Sequence, residues 1–141
     1  MKKAAVIYWS GTGNTEAMAN AVLEGMKAAG AEATLLTPDQ VDASALSDYD
    51  AIAFGCPAMG SEVLEESEFE PMFDGCKSSI GGKRVALFGS YGWGDGEWMR
   101  SWERDCANCG VSLACPSIIC CEAPDDDTVA SLKEMGKVLA Q

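Results

Sequence analysis

Apolar and polar positions change period in a regular alternation along the chain. Ala4, Ala5, Val6, Ile7, Tyr8 and Trp9 form an unbroken apolar run closed by Ser10 and Gly11, the form of a strand covered on both faces. From Asn14 the period lengthens. Met18, Ala21, Val22, Gly25, Met26 and Ala29 fall on one helical face, and Gly30 stands where a left-handed residue ends a helix. Residues 33–37 read as the next strand, 51–55 as a buried strand, 65–76 as an acidic helix kinked near Pro71, and 84–89 as another buried strand. Residues 97–109 carry Trp98, Trp102, Cys106 and Cys109 on one helical face, with Gly110 as the stop. Residues 111–121 are apolar but include Pro116, which cannot donate to a ladder, so an edge strand or one interrupted there is expected. Asp125, Asp126 and Asp127 open a final helix at the positive end of its dipole, and Val129, Leu132, Gly136 and Leu139 are its buried stripe.

Five strands alternating with helices predict an α/β fold: a parallel, doubly wound sheet with right-handed crossovers and helices on both faces. With 141 residues the chain should form one unit, residues 1–141. Ligands of such sheets bind at the carboxyl ends of strands, near the point where the winding reverses. The loops after the first, third and fourth strands are therefore where chemistry is expected.

Charge narrows the choice of partner. The formal net charge of -12 should repel nucleic acid and anionic membranes. No Lys or Arg occurs between positions 28 and 76, where eleven of the twenty-two acidic residues fall. That stretch reads either as a solvated surface or as a docking face for a basic protein. Seven irregularly spaced Cys in a chain of this length argue against a disulfide framework and for a reducing cytoplasm. The apolar run after Lys2 and Lys3 is too short for a signal peptide, and no run approaches the roughly 18 apolar residues that cross a bilayer. With no His in the chain, imidazole chemistry is excluded, and no metal site is expected.

The first candidate loop is Ser10, Gly11, Thr12, Gly13, Asn14 and Thr15. Its hydroxyl and amide side chains meet the N–H groups of a helix start, and its glycines let the main chain approach an anion, which makes a phosphate cradle. It lacks the Lys of a P-loop and the three-glycine spacing of a dinucleotide fingerprint. The second, Gly55 through Pro57, Ala58, Met59, Gly60, Ser61 and Glu62, sets a polarisable sulfur beside a conformationally free glycine. The third, Ser90, Tyr91, Gly92, Trp93 and Gly94, presents two large rings among glycines, where a planar ligand would cover them. Taken singly, each has a plainer reading: a capped helix, a turn with a core Met, a Trp folded onto the local core. Together they ask for a phosphorylated planar cofactor, and FMN satisfies all three.

These loops resemble those of the short-chain flavodoxins of anaerobic bacteria, and the likeness runs from Lys3 nearly to the C-terminus. The resemblance implies strand order 2-1-3-4-5 and FMN held by residues 10–15, 57–62 and 90–94. It places Met59 on one face of the isoalloxazine and Trp93 on the other, with Glu62 accepting from the flavin N3–H. The Gly60 carbonyl would meet the protonated N5 of the semiquinone when the peptide to Ser61 turns. Two positions depart from the pattern: Pro57 stands where some members have Ser, and Ser61 where Asp or Asn is common. The function implied is a low-potential one-electron carrier, not an enzyme, cycling mainly between neutral semiquinone and anionic hydroquinone. It would be monomeric and dock weakly with basic redox proteins at an acidic flavin edge formed by Glu62, Glu65, Glu66, Glu68, Glu70 and Asp74. The rival is an FMN-dependent NAD(P)H quinone or nitro reductase, which has no lid or substrate domain here to draw on. A receiver-type phosphoacceptor would need an Asp ending the third strand, where Phe54, Gly55 and Cys56 stand. Cys106 and Cys109 form a Cys-x-x-Cys near a helix end, expected to be structural because a reactive dithiol needs a helix start. Adjacent Cys120 and Cys121 should point to opposite sides of a strand.

Overall fold

The computed structural model describes residues 2–60 and 62–141. In chain order the elements are β1 (Lys3–Tyr8), α1 (Asn14–Ala28), β2 (Glu32–Leu36), β3 (Ala51–Gly55), α2 (Phe69–Cys76), β4 (Arg84–Tyr91), α3 (Glu97–Asn108), β5 (Ile118–Cys121) and α4 (Asp126–Leu139). The strands form one parallel sheet in the order β2-β1-β3-β4-β5, as expected.

Period-two alternation along the central strands divides the core. Ala5, Ile7, Ile52, Phe54, Val85 and Leu87 face α2 and α3, where Trp102 meets the near-parallel rings of Phe69 and Phe73 edge to face. Ala4, Val6, Ala51, Ala53, Ala86 and Phe88 face α1 and α4. The first set is large and the second small, so α1 and α4 sit close to the sheet and to each other. A Cβ on Gly25 would lie 1.9 Å from the Lys133 carbonyl oxygen, and one on Gly136 would lie 2.2 Å from that of Val22. The two helices touch backbone to backbone at these glycines.

Several expectations need correction. Helix α2 starts at Phe69, not at residue 65, and Pro71 is its third residue. A proline in the first turn forfeits no helical hydrogen bond, so it need not bend the helix. Ala29 is exposed because α1 has already ended, and Gly30 turns the chain at φ +91°. Cys109 is exposed at the end of α3 and leaves Trp98, Trp102 and Cys106 as the buried stripe. The 111–121 run is interrupted as one alternative foresaw: Leu113 bridges to Val85, and β5 begins only after Pro116. In α4, Met135 joins Leu132, Gly136 and Leu139, while Val129 is half-buried.

Candidate functional site

The loops after β1, β3, β4 and β5 meet at the carboxyl end of the sheet around a cavity of about 480 Å³, within the usual range for a cofactor site. The β1 loop and the start of α1 contribute Trp9, Gly11, Thr12 and Asn14, the β3 loop Pro57, Ala58 and Met59, the end of β4 and the residue after it Ser90, Tyr91 and Gly92, and the β5 loop Glu122 and Ala123. The three expected loops are thus brought together, with a fourth beside them.

In the first loop Gly13 turns the chain at φ +97° and caps α1. The Ser10 hydroxyl accepts from the backbone N–H of Gly13 at 3.0 Å and of Glu16 at 3.3 Å, bracing the turn from behind the cavity. Buried Thr15 shares a 3.0 Å hydroxyl contact with Ser90, which welds the first loop to the third. Ser10 and Thr15 therefore shape the turn, whereas Thr12 and Asn14 line the cavity. The N–H groups of Gly11, Thr12, Asn14 and Thr15 have no hydrogen-bond acceptor among the described residues. Free amides at a helix start, with no Lys or Arg in the turn, are the donor set that suits a phosphate held by dipoles alone.

The second loop is anchored before it turns. Cys56 lies buried, its carbonyl accepts from the Trp98 indole at 3.0 Å, and Gly89 leaves room for that carbonyl. Burial pushes the Cys56 thiol up to about 12, so it remains protonated and inert. Ala58 donates to the Ser90 carbonyl at 3.0 Å, and Met59 and Val63 exchange two backbone hydrogen bonds of 2.9 and 3.0 Å. The tip between them includes Gly60 at φ +47° and Glu62 at φ +57°. Ser61, and with it the Gly60 to Ser61 peptide, lies outside the described residues. Glu62 is not among the residues that line the cavity. One of its oxygens accepts from the Glu97 N–H at 3.1 Å and caps α3, with Gly94 packed against the carboxylate.

Of the two rings in the third loop, only Tyr91 lines the cavity, tilted against Trp98 at 5.6 Å. Trp93 stands 61% exposed at the rim, so it has not folded onto the local core. Trp9, Glu122 and Ala123 were missed by sequence reasoning. Trp9 closes the apolar run in the sequence, but β1 ends at Tyr8 and Trp9 opens the loop. The β5 loop ends at the same sheet edge, so the rule that selected the other three loops also points to it. Glu122, at φ +60°, donates its N–H to the Tyr91 carbonyl at 2.7 Å and ties that loop in.

No Lys or Arg lines the cavity. Arg100, in the first turn of α3, is paired with Asp95 at 3.0 Å and Glu97 at 2.9 Å, and Lys77, just past the end of α2, with Asp74 at 2.9 Å and Asp105 at 2.8 Å. The acidic run needs revision: Glu66, Glu68 and Asp74 are exposed, Glu62 and Glu70 half-buried, and Glu65 is buried. Among the cysteines, Cys106 is buried and its thiol is raised to about 12 by that burial, whereas Cys109 is exposed. Cys120 is half-buried with its sulfur 3.6 Å from that of Met18, while Cys121 is exposed, as strand alternation requires.

Comparison with known proteins agrees with this geometry. The flavodoxin family model matches residues 6–134. The chain is 43% identical over 136 residues to a flavodoxin of Megasphaera elsdenii, covering 96% of this chain and 97% of that one. It is likewise 43% identical over 135 residues to a flavodoxin of Clostridium beijerinckii, with the same shares covered. The solution structure of two-electron reduced Megasphaera elsdenii flavodoxin superposes with a TM-score of 0.87 at 42% identity, covering 97% of this chain and 98% of that one.

Proposed function

The chain belongs to the flavodoxin family, small FMN-binding electron carriers rather than enzymes, and from that premise we propose that residues 1–141 act as one FMN-binding unit carrying single electrons at low potential. It works mainly between the neutral half-reduced and anionic fully reduced states of its cofactor. FMN, when bound, supplies a ring that accepts electrons singly. The protein's part is to make the two additions differ in free energy.

The observation that carries this reading is the wall of the cavity. It has free helix-start amides at one end, apolar and sulfur side chains along it, and no cation among its lining residues. Gly11, Thr12, Asn14 and Thr15 would hold the phosphate through their N–H groups, with Ser10 and Gly13 setting the turn. Met59 and Trp93 would flank the ring, and Pro57, Ala58, Ser90, Tyr91, Gly92 and Gly94 would shape its seat. Glu62 keeps one oxygen on Glu97, which leaves the other to accept from the ring N3–H. Gly60 lacks a side chain, so a rotation that turns its carbonyl toward a protonated N5 is cheap. A Gly60 carbonyl so placed would hold a proton at N5 and would favour the cofactor state that carries one. The protein's charge of -12, with no cation among the cavity's lining residues, would disfavour added negative charge there. Each 1.4 kcal/mol of such a difference moves a one-electron potential by about 60 mV.

Stepwise reduction of the FMN-loaded protein tests the reading. Yellow protein should turn blue and then colourless, with two resolved one-electron potentials; a single two-electron wave without a blue stage would overturn it. Basic redox proteins would dock near Glu66 and Glu68, weakly and in a salt-sensitive way, to a monomeric carrier in the cytoplasm. Among the described residues no helix is long and apolar enough to cross a membrane. The reductase alternative gains nothing from the family match, and no feature of the site favours it.

A further inference from the structure

Glu65 is a carboxylate in an unexpected place. It sits among acids in the sequence, yet it is only 6% exposed and has no ion-pair partner among the described residues. Its oxygens accept from the backbone N–H of Ser67 at 3.0 Å, Glu68 at 2.7 Å and Phe69 at 2.9 Å, and from the Ser67 hydroxyl. Phe69 opens α2, and Ser67 and Glu68 form the turn that leads into it; Glu68, the residue before the helix, makes no side-chain cap of its own. The Glu65 N–H donates to the Cys56 sulfur at 3.3 Å, and the Glu65 carbonyl accepts from Glu70 at 2.8 Å. Cys56 in turn is fixed by Trp98 and by Phe88, whose carbonyl accepts the Cys56 N–H at 3.2 Å. Both ends of the second loop are therefore held at one point, and its exit is locked onto a helix.

We propose that Glu65, acting through the contact of its backbone N–H with Cys56, is a positioning residue that holds the neck of the second loop, where Met59 and Val63 pair, in one geometry. The inference rests on the function proposed above. A loop fixed at both ends, with Met59 and Val63 paired across its neck, has few conformations open to it. Releasing the exit would let the loop sample further conformations and weaken the selective bond to the half-reduced ring proposed above.

The test compares Glu65→Gln with Asp125→Ala, which removes the carboxylate that caps α4 by accepting from Thr128 at 2.8 Å, far from the loop. Gln keeps the shape of Glu but turns one acceptor into a donor aimed at N–H groups. In the FMN-free protein, amide exchange at Met59 and Val63 should quicken about tenfold in Glu65→Gln and stay unchanged in Asp125→Ala. In the FMN-loaded protein, the disproportionation constant of the half-reduced form should rise about tenfold, while Kd for oxidised FMN changes less than about threefold. If Glu65→Gln does not fold, Cys56→Ala should give the same two changes and Cys56→Ser should restore both. Unchanged exchange and an unchanged disproportionation constant in whichever variant folds would overturn the proposal. A parent protein without a half-reduced stage would count against the carrier function instead, and the exchange readout would still decide on the clamp.

Discussion

A methyl group at position 94 would sit 2.5 Å from a Glu62 oxygen, on a backbone already at φ +85°. Gly94→Ala should therefore cost about 1–3 kcal/mol in urea unfolding and push Glu62 off the start of α3. Thiol chemistry gives a second residue-level expectation. Burial raises Cys56 and Cys106 to about 12 and Cys76 to about 11, whereas Cys109 and Cys121 are exposed. Mass spectrometry after brief alkylation of native protein at pH 8 should find label on Cys109 and Cys121 and none on the buried three. These distinctions were only partly legible in the sequence. Helical spacing put Cys109 on the stripe of Cys106, but the helix ends between them, and periodicity carries no information past a terminus. Nothing in the sequence marks Glu65 as buried among its exposed acidic neighbours, because its partners are main-chain groups.

Among elements, the contact of α1 with α4 depends on the absence of side chains. Gly136→Ala would place a carbon 2.2 Å from the Val22 carbonyl oxygen and 2.8 Å from the Met26 nitrogen. Alanine is the better helix former by about 1 kcal/mol, yet overpacking should win and lower stability by about 1–3 kcal/mol, read as a lower urea midpoint. Both glycines were visible as members of helical stripes; that they meet each other was not, since spacing within one helix says nothing about its neighbour. Helix caps set the pH response. The Asp42 and Asp125 carboxyls are held below the ordinary range by Ser44 and Thr128, and Glu97 by Arg100 and Arg104. Burial alone would raise Glu65, but hydrogen bonds from Ser67, Phe69 and Glu68 outweigh it and hold it low. A lowered carboxylate contributes stability that is present above its unfolded value, about 4, and lost as pH falls through its folded value. The urea midpoint should accordingly drop as pH falls below the ordinary carboxylate range, about 4, and Asp125→Asn should flatten that fall. The overlong helix expected at 65–76 has the same origin: acidic residues suit a helix start, and their run does not reveal which one caps it.

For the molecule in its entirety, a charge of -12 is a standing self-repulsion. Screening lengths shrink from about 30 Å at 0.01 M salt to about 8 Å at 0.15 M, so Tm of the FMN-free protein should rise over that range. The parallel, doubly wound sheet and the convergence of three loops were legible because apolar runs and glycine turns are local signals whose topology is tightly constrained, whereas the strand order came with the family resemblance. The β5 loop lay within reach of the same strand-end rule, and Trp9 was hidden because an apolar run does not mark where its strand stops.

The glycine seam between α1 and α4 also bears on how the protein is made. Met18, Val22 and Met26 emerge early in synthesis, but Leu132, Met135 and Leu139, which cover the same side of the sheet, come more than a hundred residues later. Until α4 emerges from the ribosome, the part of that side which it covers stays open to water and to other nascent chains. The docking of α4 beside α1, more than the formation of any earlier helix, is then the moment at which this face becomes safe from aggregation.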